Sequence, residues 1–365
     1  MSRSEVAILG MGLIGGSIAL GLRRADPSAT IVGYDVDPGA LEGARRRSAV
    51  TSTATSAAAA VAGADLVVLA MPVDRMFPVL AAIAAALRAD SVVTDVGSSK
   101  AEIVACGQDL CGGRFIGGHP MAGSERRGIA AADAELFQGA QWLLTPTAST
   151  EERAYRTVAE LAARLGAGSV ALGPYEHDRL LAHVSHLPQL AASALVSRAA
   201  EAEEQAALLG LAAGGFRDTT RIAAGDPDMW IGVLRTNRLA IIEALEGLAT
   251  SWGELSRWLQ EERWDLLHGF FSRASEQRKN LFVKPTGEGT PVTLTLLIPD
   301  HPGVLAEVTT AAGRLGANIE DLQIFHSTEG GRGRLEVVIA GESPAAALSH
   351  ELEELGYHVQ RGLPT

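Results

Sequence analysis

The sequence contains little cysteine: only Cys106 and Cys111 occur among its 365 residues. Two cysteines cannot form a disulfide framework, and their four intervening residues match no common zinc-binding spacing. This excludes the disulfide-rich secreted class and gives no reason to expect a metal. We therefore expect two reduced thiols in a cytoplasmic protein.

The sequence also lacks a long hydrophobic run. The Ala-rich stretches Ala57–Val61 and Ala81–Leu87 are far shorter than the ~20 apolar residues that a membrane span requires. Residues Met1–Glu5 are too few and too polar for a signal peptide. These features predict a soluble protein that has no membrane partner.

The sequence also has few positively charged residues relative to negatively charged ones. The 31 Lys and Arg residues are outnumbered by 43 Asp and Glu residues, which gives a net charge of −12. A chain this acidic, with no strong basic patch, is a poor candidate for binding a phosphate backbone, so we expect no nucleic-acid partner. A small anionic substrate is not excluded, because it needs only one or two local arginines.

The length predicts two or three domains, at about 150 residues per domain. Residues 1–173 alternate short β-branched runs with Ala- and Leu-rich helical stretches. This alternation predicts an α/β domain whose parallel sheet is covered on both faces. The predicted strands are Val6–Leu9, Thr30–Tyr34, Leu66–Ala70, Ser91–Thr94, Phe115–Gly117 and Trp142–Thr145.

The composition changes twice after the first domain. Residues 174–283 show helical periodicity without a convincing strand, and their Leu and Ala content predicts a helical domain that packs against a second subunit of a homodimer. Residues 284–291, KPTGEGTP, read as a linker. Residues 292–365 follow the order βαββαβ, which predicts a ferredoxin-like domain.

A glycine-rich segment, GMGLIGGS, directly follows the first predicted strand and opens a helix. In this setting Gly10 would make the tight turn, Gly12 would let the backbone approach a pyrophosphate, and Gly15 would let the helix pack closely on the strand. Asp35 ends the second strand, where a carboxylate binds the adenosine ribose and repels a 2′-phosphate. These features predict a Rossmann-like domain that binds NAD; the other possibility for Asp35 is a plain turn residue.

Two polar loops follow the later strands of the predicted sheet, residues 95–100 and residues 118–125. In such a domain, chemistry is expected at the carboxyl ends of the strands. His119 lies between glycine and proline in the second loop, and a histidine is suited to general base catalysis because its pKa lies near neutrality. The hydroxyl group of Ser98 could orient its second ring nitrogen. The alternative for His119 is a structural or merely exposed residue.

Polar clusters also occur in the helical region. The segments are Glu176-His177-Asp178, His183–Gln189, Gly215–Ile222 and Asp226–Trp230. Ser185 and Gln189 are one helical turn apart and would share a face. Arg221 could bind a substrate carboxylate through two hydrogen bonds. Helix capping, core hydrogen bonding and a surface pair between Arg221 and Asp218 are the alternatives.

Six of these segments together resemble the prephenate dehydrogenases. The resemblance rests on GMGLIGGS, VTDVGSSK, GGHPMAGSE, HDRLLAHVSHLPQ, GGFRDTTRIA and DPDMW, in this order, and covers roughly residues 4 to 282. The tail is similar to an ACT domain, through DHPGVL at residues 300–305 and GANI at residues 316–319.

The resemblance implies oxidative decarboxylation of prephenate to 4-hydroxyphenylpyruvate in tyrosine biosynthesis, with NAD⁺ as oxidant. It implies that His119 is the catalytic histidine, and that Ser98 positions it and lies by the nicotinamide. Arg221 would bind a substrate carboxylate. The further residues that it implies are Glu125, His177, Gln189, Asp218 and Trp230 at the substrate and Leu13 and Ile14 at the cofactor.

Gln189 departs from the family pattern, since some members have histidine there. This leaves open whether the substrate is prephenate, arogenate or both. A β-hydroxyacid dehydrogenase would need a lysine in the helical domain, where only Lys279 occurs. A non-catalytic NAD and amino-acid sensor is a further alternative.

The ACT resemblance implies feedback regulation by an aromatic amino acid such as tyrosine. The positions expected to bind it are Asp300, His301, Gly303 and Asn318. A domain that serves only for dimerisation is the alternative.

Overall fold

The computed structural model describes residues 5–123, 126–201, 213–281, 291–299, 303–326 and 332–362. The chain divides into two compact units, Met1–Glu254 and Leu255–Thr365. The expected domain limits after residues 173 and 283 stay predictions.

The first unit is built on an eight-stranded sheet in the order β3-β2-β1-β4-β5-β6-β7-β8. Strands β1 to β6 run parallel to one another, and β4 and β5 are buried along their whole length. The strands are β1 (Glu5–Leu9), β2 (Thr30–Tyr34), β3 (Ser52–Thr53), β4 (Leu66–Leu69), β5 (Val92–Asp95), β6 (Phe115–Pro120), β7 (Gln141–Thr145) and β8 (Gly168–Ala171).

The expected Rossmann-like sheet is confirmed, with two differences at its edges. Strand β7 runs antiparallel to β6, and β8 then pairs with β7 in parallel. We did not predict β8, because its sequence GSVA is exposed throughout and has no buried apolar run. We did not predict β3 either, since it has only two residues.

Helices cover both faces of this sheet. Leu66 and Val68 of β4 belong to one hydrophobic cluster, and Val67 and Leu69 belong to another. Because successive side chains of a strand point to opposite faces, two separate clusters mean that both faces are buried. The helices are α1 (Leu13–Ala25), α2 (Pro38–Arg46), α3 (Ala57–Val61), α4 (Val73–Ile83), α5 (Ala101–Cys111) and α6 (Glu152–Arg164), with 3₁₀ turns at Ala84–Ala86, Gly112–Arg114 and Ile129–Ala131.

The described residues from 174 to 281 are helical and contain no strand, as expected. A π-helical turn, Ala182–His186, interrupts them where we predicted one regular helix. It places His186 and Gln189 in the interior and leaves Ser185 half-buried. The other elements are α7 (Pro174–Leu181), α8 (Leu187–Ala200), α9 (Gly214–Thr220), the 3₁₀ turn Arg221–Ala224, α10 (Pro227–Thr236), α11 (Arg238–Gln260) and α12 (Trp264–Leu281).

The carboxyl-terminal part of the second unit has the predicted βαββαβ order. Its four strands form an antiparallel sheet in the order β10-β11-β9-β12, which is the ferredoxin-like arrangement. The elements are β9 (Pro291–Pro299), α13 (Val304–Arg314), β10 (Ile319–His326), β11 (Arg332–Ala340), α14 (Glu342–Glu354) and β12 (His358–Gly362). Across the part of the chain that the structure describes, no helix is long and apolar enough to cross a membrane.

Candidate active site

The turn between β1 and α1 depends on two glycines that allow close approach. Gly10 has a φ of +102°, and a Cβ atom there would lie 2.3 Å from the carbonyl oxygen of Ala70. A Cβ atom on Gly15 would lie 1.9 Å from the carbonyl oxygen of Gly10. Both positions therefore require glycine for the backbone to fold this way.

Gly12 differs from Gly10 and Gly15, because a Cβ atom on Gly12 would meet nothing within 4 Å. It precedes α1, and no side chain caps this helix end. The first-turn amides, which include those of Leu13 and Ile14, carry the positive end of the helix dipole. Open space in front of such a helix end fits a pyrophosphate group, so the residues present fit a dinucleotide.

Asp35 follows β2 and is held by two backbone amides. Its Oδ2 accepts a hydrogen bond from Met11 N at 2.6 Å, and its Oδ1 accepts one from Asp37 N at 2.9 Å. The carboxylate is thus tied to the glycine turn rather than only to its own strand. It remains partly exposed at the carboxyl edge of the sheet.

At the carboxyl end of β6, His119 contacts a second histidine from α7. The distance from His119 Nδ1 to His177 Nε2 is 2.9 Å. His119 is 8% exposed and His177 is fully buried. We predicted that Ser98 would orient His119, whereas the described hydrogen bond of this ring goes to His177; Ser98 is half-buried on the β5–α5 loop.

His177 is in turn bonded to Asp178, with 2.8 Å between Nδ1 and Oδ1. The Asp178 carboxylate also accepts hydrogen bonds from Lys100 N at 2.6 Å and Ala101 N at 2.8 Å, at the amino-terminal end of α5. The three side chains therefore form a buried row that begins at a helix end and finishes at His119.

A buried ion pair lies beside this row. Lys100 Nζ bonds to Asp95 Oδ2, and both side chains are fully buried. Asp95 also accepts hydrogen bonds from Gly97 N at 2.8 Å and Gly118 N at 3.2 Å, so it is bonded to the end of β6, the strand that carries His119. We predicted a polar loop at residues 95–100 but no role for Asp95 or Lys100, because a charged residue in a loop is usually solvated.

Burial keeps the histidines of this site uncharged. Desolvation lowers the pKa of His119 well below its ordinary value, and the neighbouring His177 and Lys100 lower it further. Burial also lowers the pKa of His177, against the opposing effect of Asp178. A neutral imidazole can accept a proton, so His119 is chemically able to act as a general base at neutral pH.

A second group of side chains lies where α8 and α10 meet the turn at Gly225. A Cβ atom on Gly225 would lie 2.5 Å from Trp230 Nε1 and 3.4 Å from Gln189 Nε2. Gln189 is buried, and the rings of His186 and Trp230 are 6.0 Å apart in an edge-to-face arrangement. The structure thus brings the predicted residues Gln189 and Trp230 together.

Asn237 connects the two groups. Its Nδ2 donates to the carbonyl oxygen of Asp178 at 2.8 Å and lies 3.2 Å from His186 Nδ1. Burial lowers the pKa of His186 to about 4. We did not predict Asn237 or His186 as site residues, and a lone asparagine between helices carries no sequence signal.

The remaining predicted residues are exposed or lie outside the described residues. Arg221 and Asp218 are exposed, on the 3₁₀ turn and on α9 respectively. Gly303 precedes α13 with a φ of +106°, and Asn318 Nδ2 donates to Glu320 at 2.6 Å. Glu125, Asp300 and His301 lie outside the described residues. Among the described residues, no group of three or more His, Cys, Asp or Glu residues could hold a metal ion.

Comparison with known families agrees with this arrangement. Residues 18–171 match the family described as prephenate dehydrogenase, nucleotide-binding domain, and residues 173–273 match prephenate dehydrogenase, dimerization domain. The chain belongs to the prephenate dehydrogenase family. Residues 294–359 match an AHAS small subunit-like ACT domain, so the expected ACT-like tail is confirmed.

Three similar proteins illustrate the family. Prephenate dehydrogenase of Bacillus subtilis (strain 168) is 32% identical over 341 residues, which are 92% of this chain and 92% of that protein. Cyclohexadienyl dehydrogenase of Zymomonas mobilis subsp. mobilis is 32% identical over 277 residues, 75% of this chain and 94% of that one. The crystal structure of prephenate dehydrogenase from A. aeolicus, in complex with hydroxyphenyl propionate and NAD⁺, is 31% identical with a TM-score of 0.73 over 77% of this chain and 99% of that chain.

Proposed function

We propose that this chain is an NAD-dependent dehydrogenase that converts prephenate to 4-hydroxyphenylpyruvate and CO₂ in tyrosine biosynthesis. The family it belongs to supports this activity, as does the NAD⁺ bound by its A. aeolicus relative. The single observation that carries the proposal is His119, a buried imidazole with a lowered pKa at the carboxyl end of a Rossmann strand.

His119 is the catalytic base in this proposal. Because Nδ1 of His119 bonds to His177, Nε2 is the nitrogen available to the C4 hydroxyl group of the substrate. It takes the hydroxyl proton as hydride leaves C4, loss of CO₂ aromatises the ring, and the proton returns to the phenol oxygen. No net proton is released, so the base needs only to hold it between the two steps.

The glycine turn and its surroundings bind the cofactor. NAD⁺ supplies the hydride acceptor when it is bound. Gly12 and the amides of Leu13 and Ile14 receive the pyrophosphate, while Gly10 and Gly15 allow the turn. Ser98 lies by the nicotinamide in this proposal, on the loop that follows β5.

Asp35 selects NAD over NADP, because a fixed carboxylate repels a 2′-phosphate. The three arginines of α2 and its end, Arg45–Arg47, could have favoured NADP. Each has another partner: Thr53 for Arg45, Glu42 for Arg46 and the carbonyl oxygen of Ile129 for Arg47.

Arg221 binds a carboxylate of the substrate, with Asp218 and Glu125 as the acidic residues that pair with it. Gln189 and Trp230 contact the rest of the substrate, and the contacts around Gly225 support a shared pocket for them. His177 is fully buried and acts on the substrate through its bond to His119. The Arg221→Ala variant should show a sharply raised KM for substrate and a nearly unchanged Kd for NAD⁺. An unchanged substrate KM would remove Arg221 from the site.

Prephenate and arogenate differ at the side-chain end, so the residue that contacts this end determines which of the two is the substrate. A glutamine at position 189 cannot carry charge, and the Zymomonas relative is a cyclohexadienyl dehydrogenase, which supports dual use as the second candidate. Initial rates with prephenate and arogenate, each with NAD⁺ and NADP⁺, test both. NADH formation from neither substrate would overturn the proposed activity and leave the non-catalytic sensor.

The enzyme forms a homodimer through its helical region, where the matched family is a dimerization domain. On α11 only Ile241 and Ala244 are buried, while Leu239 and Trp252 are 74% and 51% exposed. Large exposed apolar side chains on one helix are typical of an interface. Light scattering on the full-length chain should give the mass of two subunits.

The ACT-like tail makes the enzyme sensitive to an aromatic amino acid, with tyrosine as the first candidate. Gly303 precedes α13 and Asn318 precedes β10, which supports a ligand near the first strand–helix turn and the second strand of this domain. Asp300 and His301 complete the proposed site. Titration calorimetry of the full-length chain with Tyr, Phe and Trp tests it; no heat with any of them would leave the tail as a dimerisation module.

A further inference from the structure

Asp178 has no part in the activity proposed above, yet the residue is 4% exposed and both carboxylate oxygens accept hydrogen bonds. Its Oδ1 lies 2.8 Å from His177 Nδ1 and 2.6 Å from Lys100 N, and its Oδ2 lies 2.8 Å from Ala101 N. The two amides belong to the start of α5, where they would otherwise lack partners. The carboxylate therefore cannot rotate without breaking bonds at both oxygens.

These contacts determine where the protons of the two histidines lie. An ionised carboxylate only accepts hydrogen bonds, so the proton between Asp178 and His177 must be on His177 Nδ1. A neutral His177 then has a free electron pair on Nε2, and that nitrogen accepts the hydrogen bond from His119 Nδ1–H. His119 is left with an electron pair on Nε2, which is the form that can take a proton from a substrate.

We propose that Asp178 is a positioning residue that holds His177, and through it His119, in the tautomer in which His119 Nε2 is unprotonated. This rests on the proposed function, because only a reaction that needs a base at His119 benefits from it. The row of three side chains spans β6 and α7, and its far end is anchored on α5.

The surroundings of Asp178 favour this ordering. The backbone of Asp178 is held by Asn237, whose Nδ2 donates to its carbonyl oxygen at 2.8 Å. The nearby cation, Lys100, is bonded through Nζ to Asp95, so its ammonium group does not take the place of His177 at the Asp178 carboxylate. Among the described contacts of the Asp178 carboxylate, the one ring nitrogen is therefore Nδ1 of His177.

Asp178→Asn is the test variant, because an asparagine whose oxygen stays on Ala101 N presents its NH₂ group to His177 Nδ1 and Lys100 N. That donor should reverse the tautomers of His177 and His119. We expect kcat to fall by about 10²-fold to 10⁴-fold, the range for a positioned general base, with the Kd for NAD⁺ within about threefold. Glu176→Gln is the matched control, since it removes an exposed carboxylate two residues away on the same helix.

Two further measurements separate positioning from a merely structural role. In ¹⁵N spectra of the full-length, histidine-labelled enzyme, wild type should show His119 protonated on Nδ1, and Asp178→Asn should show it protonated on Nε2. In a double-mutant cycle that combines Asp178→Asn with His177→Asn, the losses in kcat should be far from additive, because both variants interrupt the same row of hydrogen bonds to His119.

The results are decisive in both directions. An unchanged His119 tautomer in Asp178→Asn, or additive losses in the cycle, would overturn the proposal and assign Asp178 to capping α5 alone. Wild-type enzyme is assayed alongside with prephenate and NAD⁺. If it turns over while Asp178→Asn keeps its rate, only the positioning role is lost; if wild type itself forms no NADH, the proposed function is what fails.

Discussion

His177 Nε2 lies 2.9 Å from His119 Nδ1, although 58 residues separate the two histidines in the chain. The contact joins the end of a Rossmann strand to the first helix of the helical region. It leaves the other ring nitrogen of His119 as the available base. The chemistry of the site therefore depends on how two parts of the first unit pack together.

Replacing His119 should remove the chemical step and spare cofactor binding. The His119→Asn variant keeps a polar side chain but has no basic nitrogen, so kcat should fall by about 10²-fold to 10⁴-fold. The Kd for NAD⁺, measured by fluorescence titration, should be nearly unchanged. The matched control is His183→Asn, because His183 is exposed. Near wild-type NADH production by His119→Asn would show that the assigned base is wrong.

The two glycines Gly12 and Gly15 should respond differently to the same substitution. Gly15→Ala would force Cβ to within 1.9 Å of the Gly10 carbonyl oxygen and should cost at least about 1–3 kcal/mol of unfolding free energy. Gly12→Ala meets nothing within 4 Å, so its stability should stay within about 0.5 kcal/mol of wild type.

The KM for NAD⁺ completes this comparison. The methyl group of Gly12→Ala occupies the space proposed for the pyrophosphate, so this variant should bind NAD⁺ weakly despite its normal stability. Urea unfolding and initial rates measure the two properties separately. Normal NAD⁺ binding by a stable Gly12→Ala enzyme would place the pyrophosphate elsewhere.

Neutralising Asp35 should relax the choice of cofactor. Asp35→Asn keeps one oxygen for the amide of Met11 or of Asp37, but it removes the charge that opposes a 2′-phosphate. The ratio of kcat/KM for NAD⁺ over NADP⁺ should fall, mainly through a raised KM for NAD⁺. Asp37→Ser is the control, because serine can still cap α2. An unchanged ratio would contradict the assignment of Asp35 to the ribose.

Acid should destabilise the fold through its buried histidines. The pKa of His186 is about 4 in the folded chain and about 6.5 when unfolded, so below pH 6.5 the unfolded chain binds a proton that the folded chain does not. The unfolding free energy should therefore fall as pH falls towards 4. His186 alone should contribute on the order of 1 kcal/mol of loss between pH 7.5 and 5.5.

Urea unfolding at these two pH values measures the effect. His186→Gln should lose less stability on acidification than wild type, and His183→Gln, an exposed control, should lose as much as wild type. Equal losses for wild type and His186→Gln would mean that His186 is not kept neutral by the fold.

Much of the fold could be predicted from the sequence because its signals are local. The six predicted strands all occur, the stretch from 174 onwards is helical where described, and the tail has the expected βαββαβ order. Strand β8 was missed, because four exposed residues carry no hydrophobic pattern. The reversal of β7 was also missed, since strand direction depends on a neighbour and not on composition.

What the sequence by itself determined is the set of parts: the glycine turn, the acidic end of β2, the histidine loop, and the segments that resemble one family. Gly10 and Gly15 could be recognised because a backbone turn constrains its own residues. Only the tertiary structure decided which side chains meet. The partner of His119 is His177, the carboxylate behind it is Asp178, and Asn237 closes the group. Such pairs follow from how α7 packs against α5 and the end of β6, and no local pattern encodes the distance between residues so far apart in the chain.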